Sequence, residues 1–97
     1  MVRGMKSLGQ SVQELLVESA QDSEARLQVL QAYWSTVVGD AMASATSPTS
    51  LRDGVLLLSV DELWAQVCRE EAGRLIGRVN GFFRGEVVRR LELRLRH

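Results

Sequence analysis

The sequence predicts a small α+β domain of order α-α-β-β-α-β, with a three-stranded sheet and helices packed on one of its faces. Three observations lead there. Apolar residues recur at three- and four-residue steps in three separate segments, the signature of amphipathic helices. An Asp53-Gly54 pair stands between two apolar runs, a strong short-range sign of a two-residue hairpin. The last residues, Leu91-Glu92-Leu93-Arg94-Leu95-Arg96, alternate strictly between apolar and charged, which is the period of a half-buried strand. A chain of 97 residues suits one domain, spanning 1–97 with flexibility expected over 1–5.

The elements follow in order. Leu8, Val12, Leu15 and Leu16 mark an amphipathic helix over 6–19. Gln21-Asp22-Ser23 is a polar break, where Asp22 or Ser23 can accept a backbone N–H and start a second helix. Glu24 then sits favourably in the first turn. Leu27, Leu30, Trp34, Val37 and Val38 form its stripe, and Gly39 follows the last periodic residue, a place for a positive-φ cap. Ala41-Met42-Ala43 suits a short helical turn. Ser44 to Ser50 is small and polar and holds the sole proline, Pro48. As a strand it belongs at a sheet edge, since proline has no N–H to give. Val55 to Val60 is apolar on both faces for most of its length, which predicts a strand largely covered on both sides. Asp61 is placed to cap a single long helix running to Phe83, with Trp64, Cys68, Ala72, Leu75, Val79 and Phe82 on one stripe. Gly73 and Gly77 each weaken that helix by about 1 kcal/mol, so tertiary packing must hold it. Gly85 ends it. In the final strand the leucines point inward and Arg90, Glu92, Arg94 and Arg96 outward.

Catalytic chemistry finds little purchase. The sole histidine, His97, is the last residue, and a general base must be held in place. The sole cysteine, Cys68, lies on an apolar helix stripe and reads as a small core residue. It has no metal-ligand spacing and no disulfide mate, so no metal or cofactor is expected. One cysteine and no apolar leader point to a cytoplasmic protein. The longest strictly apolar run, Val55 to Leu58, falls far short of a membrane span. Asp61 with Glu62 and Glu70 with Glu71 read as solvated acids, Glu70 forming an ordinary helix-surface pair with Arg74. The glycines at 73, 77, 81 and 85 lack the closing Gly-Lys-Ser/Thr of a phosphate loop. They permit close packing or bend the helix. Trp34 and Trp64 read as core anchors in preference to base-stacking platforms.

Binding chemistry remains. The formal net charge is zero over the whole chain, but it is −5 over residues 1–71 and +5 over 72–97. All seven late cations are arginine: Arg74, Arg78, Arg84, Arg89, Arg90, Arg94 and Arg96. Arginine forks onto phosphate or carboxylate oxygens where lysine acts as a point charge. Gathered in the fold, these side chains would track a nucleic-acid backbone. Val55 and Leu57, with the outward strand face, would equally offer an apolar surface to a protein partner. A pure protein adaptor without nucleic-acid binding, or a homo-oligomer, and a general nucleic-acid module, RNA-directed for example, are the competing readings.

Several short motifs resemble the DciA-like family of bacterial replicative-helicase loaders. Trp34-Ser35-Thr36-Val37-Val38-Gly39 resembles its W-x-x-V-V-G opening. Ala43 and Thr46-Ser47-Pro48 resemble its small-residue stretch with Thr-x-Pro. Leu51-Arg52-Asp53-Gly54-Val55-Leu56 resembles its hairpin, and Val60 with Trp64 its strand-to-helix step. Asn80 and Leu91-Glu92-Leu93-Arg94 fall into register too. The resemblance covers residues 30–96. It implies a KH-like fold and a non-catalytic protein that binds the replicative helicase and DNA to aid helicase loading. Family members often carry a basic extension that helps to grip DNA. This sequence shows no such run and is neutral, so the implied DNA binding is weak, with single strands favoured. It also lacks the Gly-x-x-Gly clamp of RNA-binding KH modules.

Overall fold

The computed structural model describes residues 12–18 and 20–96. The lead over 1–5, the start of the first helix and His97 lie outside the described residues. Residues 12–18 are helical (α1). Then come α2 (Ser23–Ala32), α3 (Trp34–Val38), α4 (Asp40–Ala45), β1 (Thr46–Arg52), β2 (Val55–Val60), α5 (Glu62–Glu70), α6 (Ala72–Phe83) and β3 (Arg90–Leu95). With α2–α4 as one helical run and α5–α6 as another, the order is the expected α-α-β-β-α-β.

The sheet runs β1-β2-β3. β1 and β2 form an antiparallel hairpin. Asp53 and Gly54 turn it with φ values of 53° and 80°, the two positive angles that a tight hairpin turn of this twist requires. β2 and β3 are parallel, and parallel strands cannot be joined by a tight turn, so α5 and α6 form the crossover. Pro48 stands on an edge strand as expected. The ladder shifts between Pro48 and Ser50, leaving Thr49 as the extra residue, its hydroxyl donating to Leu57 O at 3.1 Å.

The core lies between one face of the sheet and the helices. Leu56, Leu58 and Val60 of β2 are fully buried against Leu30, Trp34, Val37, Val38, Cys68, Leu75, Val79 and Val88. Each fully buried aliphatic side chain contributes about 1.5–3 kcal/mol. The alternate residues of β2, Val55, Leu57 and Ser59, are only half-buried. Every residue of β2 is thus buried or of intermediate exposure, as expected of a strand largely covered on both sides. The side chains on this second face are shielded in part by the neighbouring strands and stay partly accessible.

Two expected helices are broken. The run from Ser23 to Val38 bends at Tyr33 (φ −115°, ψ 21°). Its halves have different partners: α2 packs on β1, and α3 on α6. A straight helix cannot serve both. The start is as read, with Asp22 Oδ1 accepting from Ala25 N at 2.8 Å. The run from Asp61 to Phe83 breaks at Glu71 (φ −100°, ψ 12°). That break separates Glu70 from Arg74. Arg74 pairs instead with Glu71 at 3.3 Å, while Glu70 accepts from Gln66. Asp61 precedes α5 but makes no side-chain cap. Its carboxylate turns to Arg96, 3.4 Å away.

The glycines of α6 do not mark close approaches. A Cβ added at Gly73, Gly77 or Gly81 would meet nothing within 4 Å. Gly39 is different. Its φ of 92° with ψ 157° lies in a region open essentially to glycine alone, and it separates α3 from α4. α6 ends at Phe83, two residues before Gly85: Arg84 is the cap and takes the left-handed position (φ 59°, ψ 39°), and Gly85 N–H reaches back to Asn80 O at 3.0 Å. The stripe Val12, Leu15 and Leu16 of α1 is exposed. α1 meets the body elsewhere, through Glu14, whose carboxylate lies 3.2 Å from Arg84.

Candidate nucleic-acid interface

Strand register builds the open face. Arg52, Val55 and Arg90 form one row across the three strands. Ser50, Leu57 and Glu92 form the next, and Ser47, Ser59 and Arg94 the third. Adjacent strands are about 4.8 Å apart, so Arg52 and Arg90 flank Val55 on both sides. Just beyond β3, Arg96 donates to Ser47 Oγ at 2.7 Å and to Ser44 O at 3.3 Å. The face is therefore a half-buried apolar centre with hydroxyls, bordered by Arg52, Arg90, Arg94 and Arg96.

Alternation in the sequence picked out Arg90, Arg94 and Arg96 as neighbours, and the sheet brings them together. It missed Arg52. The signal was present: counting outward from the Asp53-Gly54 turn pairs Arg52 with Val55. Arg74 and Arg78 do not join the face. Both stand on α6, in the helix layer, with the sheet between them and Arg94. Arg78 donates to Val38 O at 3.3 Å and so ties α6 to the end of α3. Arg84 faces α1. Arg89 lies at the hairpin end, its guanidinium donating to Asp53 O at 2.7 Å. A Cβ on residue 54 would stand 2.5 Å from Arg89 Nε, so Gly54 makes room for it.

The charges on the face are unequal in freedom. Arg90 is bound to Glu92 at 2.7 Å, and Arg96 to Asp61 and Ser47. Arg52 and Arg94 make no ion pair among the described residues. All such pairs here are solvent-exposed to a large degree, where they contribute at most about 1 kcal/mol. The aromatic side chains stand elsewhere. Trp34 is in the core, its indole N–H donating to Thr46 Oγ1 at 2.9 Å, and Trp64 packs against the core. Tyr33, Phe82 and Phe83 touch one another in the helix layer. Among the described residues the open face therefore offers charge and apolar surface but no ring for a base to stack on.

Other chemistry is sparse. Cys68 is buried, 3.7 Å from Met42 Sδ, and burial pushes its thiol above the usual range. Among the described residues no cluster of three or more histidine, cysteine or acidic side chains could hold a metal. No helix there is long and apolar enough to cross a membrane. A cleft of about 600 Å³ lies between α1 and the end of α6, with Glu14, Glu18 and Glu86 facing Arg26 and Arg84.

A family model described as "Dna[CI] antecedent, DciA" matches residues 7–93. The chain belongs to the DciA family. It is 28% identical over 93 residues to the UPF0232 proteins of Mycobacterium bovis and Mycobacterium tuberculosis, covering 95% of this chain and 50% of each of those. It thus spans about half the length of the curated relatives it matches. In this DciA-family chain the motif residues mostly hold the fold. Trp34 binds Thr46, Gly39 and Asp53-Gly54 supply positive-φ turns, and Asn80 clamps the loop before β3. Of the open-face arginines, Arg52 and Arg94 fall within motif stretches.

Proposed function

We propose that this domain binds the replicative helicase and, weakly, single-stranded DNA, aiding helicase loading at the start of replication, and that the open sheet face is the contact surface. Family membership supports the general reading. One observation supports this choice of surface: the strand register sets Arg52, Arg90 and Arg94 around the half-buried Val55 and Leu57. Cations in such rows neutralise phosphates, while the apolar centre suits sugars or a protein side chain. Without aromatic platforms, affinity comes from phosphate contacts and is steeply salt-dependent, with a log–log slope near −0.7 per contact on single strands.

The test is fluorescence anisotropy with a labelled oligonucleotide at several salt concentrations, beside a helicase pull-down. Arg52→Glu with Arg94→Glu is expected to weaken DNA binding at least about tenfold and to flatten the salt slope by roughly 0.7 per lost contact. Leu57→Asp is expected to reduce helicase capture. Arg74→Glu with Arg78→Glu is the contrasting variant. On the open-face reading it leaves DNA binding unchanged, and loss of binding there would move the contact to the helix layer.

A second reading keeps the helicase and drops the DNA, as a protein adaptor. The observation that favours it is the Arg90–Glu92 pair, which with Arg96–Asp61 leaves two cations of the face without an ion pair among the described residues. Absence of any oligonucleotide binding at low salt, with helicase capture intact, would decide for it.

A further inference from the structure

The two edges of the sheet are guarded unequally. β1 is blocked three ways: Pro48 has no N–H, the ladder is bulged beside it, and Gln31 Nε2 of α2 donates to Pro48 O at 2.9 Å. β3 has none of these devices. Arg90 N and Arg96 N donate to Gly54 O and Val60 O on the β2 side. In a parallel strand the N–H and C=O of a residue point the same way, and direction alternates along the chain. The backbone groups of Leu91, Leu93 and Leu95 therefore point to the outer edge, and none is hydrogen-bonded across it among the described residues. A regular strand end of this kind is a template for another strand.

We propose that β3 pairs antiparallel with β3 of a second copy, centred on Leu93, joining the two sheets into one. The choice of a second copy and of that register comes from charge. Centred on Leu93, Leu91 of one copy faces Leu95 of the other, and Glu92 faces Arg94, twice by symmetry. The leucines then form a continuous ladder on the helix side and cover Leu95, which is 42% exposed. The Glu92–Arg94 pairs fall at the non-hydrogen-bonded positions, where opposed side chains come closest. Centred one residue earlier, Arg90 would face Arg94 and Glu92 would face Glu92, and like charges directly opposite oppose pairing. The leucine rows fit both registers. The charges select one.

This inference stands apart from the proposed function, since it concerns chain–chain association without helicase or DNA. The experiment is analytical ultracentrifugation of the full chain across a concentration series, with Glu92→Arg, Arg94→Glu and the double variant. Both positions are exposed and outside the core, so all three variants are expected to fold, which circular dichroism checks. The wild type is expected to dimerise. Each single variant is expected to associate roughly tenfold more weakly, and the double variant to recover, because two opposed pairs change sign and are then restored. Amide exchange at Leu91, Leu93 and Leu95 is expected to slow as concentration rises. A wild type that stays monomeric up to about 1 mM, or a dimer indifferent to both single variants, overturns the proposal. So does a monomer that takes up an unrelated extended peptide on β3 instead.

Discussion

At the scale of single residues, Asn80 shows how one side chain sets the geometry of a distant strand. Its Oδ1 accepts from Val87 N at 2.9 Å and Val88 N at 2.8 Å, and its Nδ2 donates to Val88 O at 2.9 Å. Val88 is 1% exposed, so these backbone groups have no water to fall back on. Asn80→Ala is expected to cost about 2–4 kcal/mol in denaturant unfolding, as orphaned buried donors lose their partner. Cys68 gives a pH signature. Its thiol titrates above its usual value of 9.0 because burial disfavours the thiolate. The folded state therefore holds its proton longer than the unfolded state does. Its stabilising effect is complete below about pH 9 and is lost as pH rises through the raised folded value. Unfolding curves at pH 8 and pH 10 check this, with Cys68→Ala expected to remove that part of the difference. Some residue-scale features were legible in the sequence. Gly39 and Asp53-Gly54 announce positive φ because glycine and aspartate tolerate it best. Arg84 in the left-handed region was not legible, because arginine has no such preference and the position is forced by Gly85 and Asn80.

At the scale of elements, the sequence showed every strand and missed two helix breaks. The reason is phase. Trp34 continues the stripe of Leu27 and Leu30, and Leu75 continues that of Trp64 and Cys68, so the apolar period runs through each break. Tyr33 and Glu71 are ordinary helix residues, without the glycine or proline that would punctuate. The breaks come from tertiary partners, which periodicity does not contain. The burial of β2 was legible: Val55 and Leu57 read as a second, largely covered face, and both are only intermediate in exposure. The glycines of α6 carry a prediction of their own. Gly77 is mid-helix with open space where a Cβ would stand, so Gly77→Ala is expected to raise stability by about 0.5–1 kcal/mol. Thermal unfolding checks it, and a loss of stability would mean that the open space is filled by something that packs there.

At the scale of the molecule, the arginine-rich final quarter proved to be two populations. Alternation within one strand was enough to gather Arg90, Arg94 and Arg96. Nothing local could show that Arg74 and Arg78 lie beyond the sheet, since that depends on which face the crossover helices cover. Arg52 came in from a region of net negative charge through hairpin register alone. The zero net charge of the whole thus conceals a face bordered by arginine, and its cationic character depends on register as much as on composition.

The parallel pairing of β2 with β3 also sets the order in which the molecule assembles. The hairpin of β1 and β2 closes over a two-residue turn, whereas β3 must wait for about 30 residues of crossover to find their place, and long closures are slow. β3 is then the last strand to arrive and the first to leave. Native-state hydrogen exchange is expected to show β3 opening at a lower free energy than β1 and β2, as a separate cooperative unit. A common opening energy for all three strands would mean that the Asn80 and Arg89 ties are strong enough to make the late strand inseparable from the early ones.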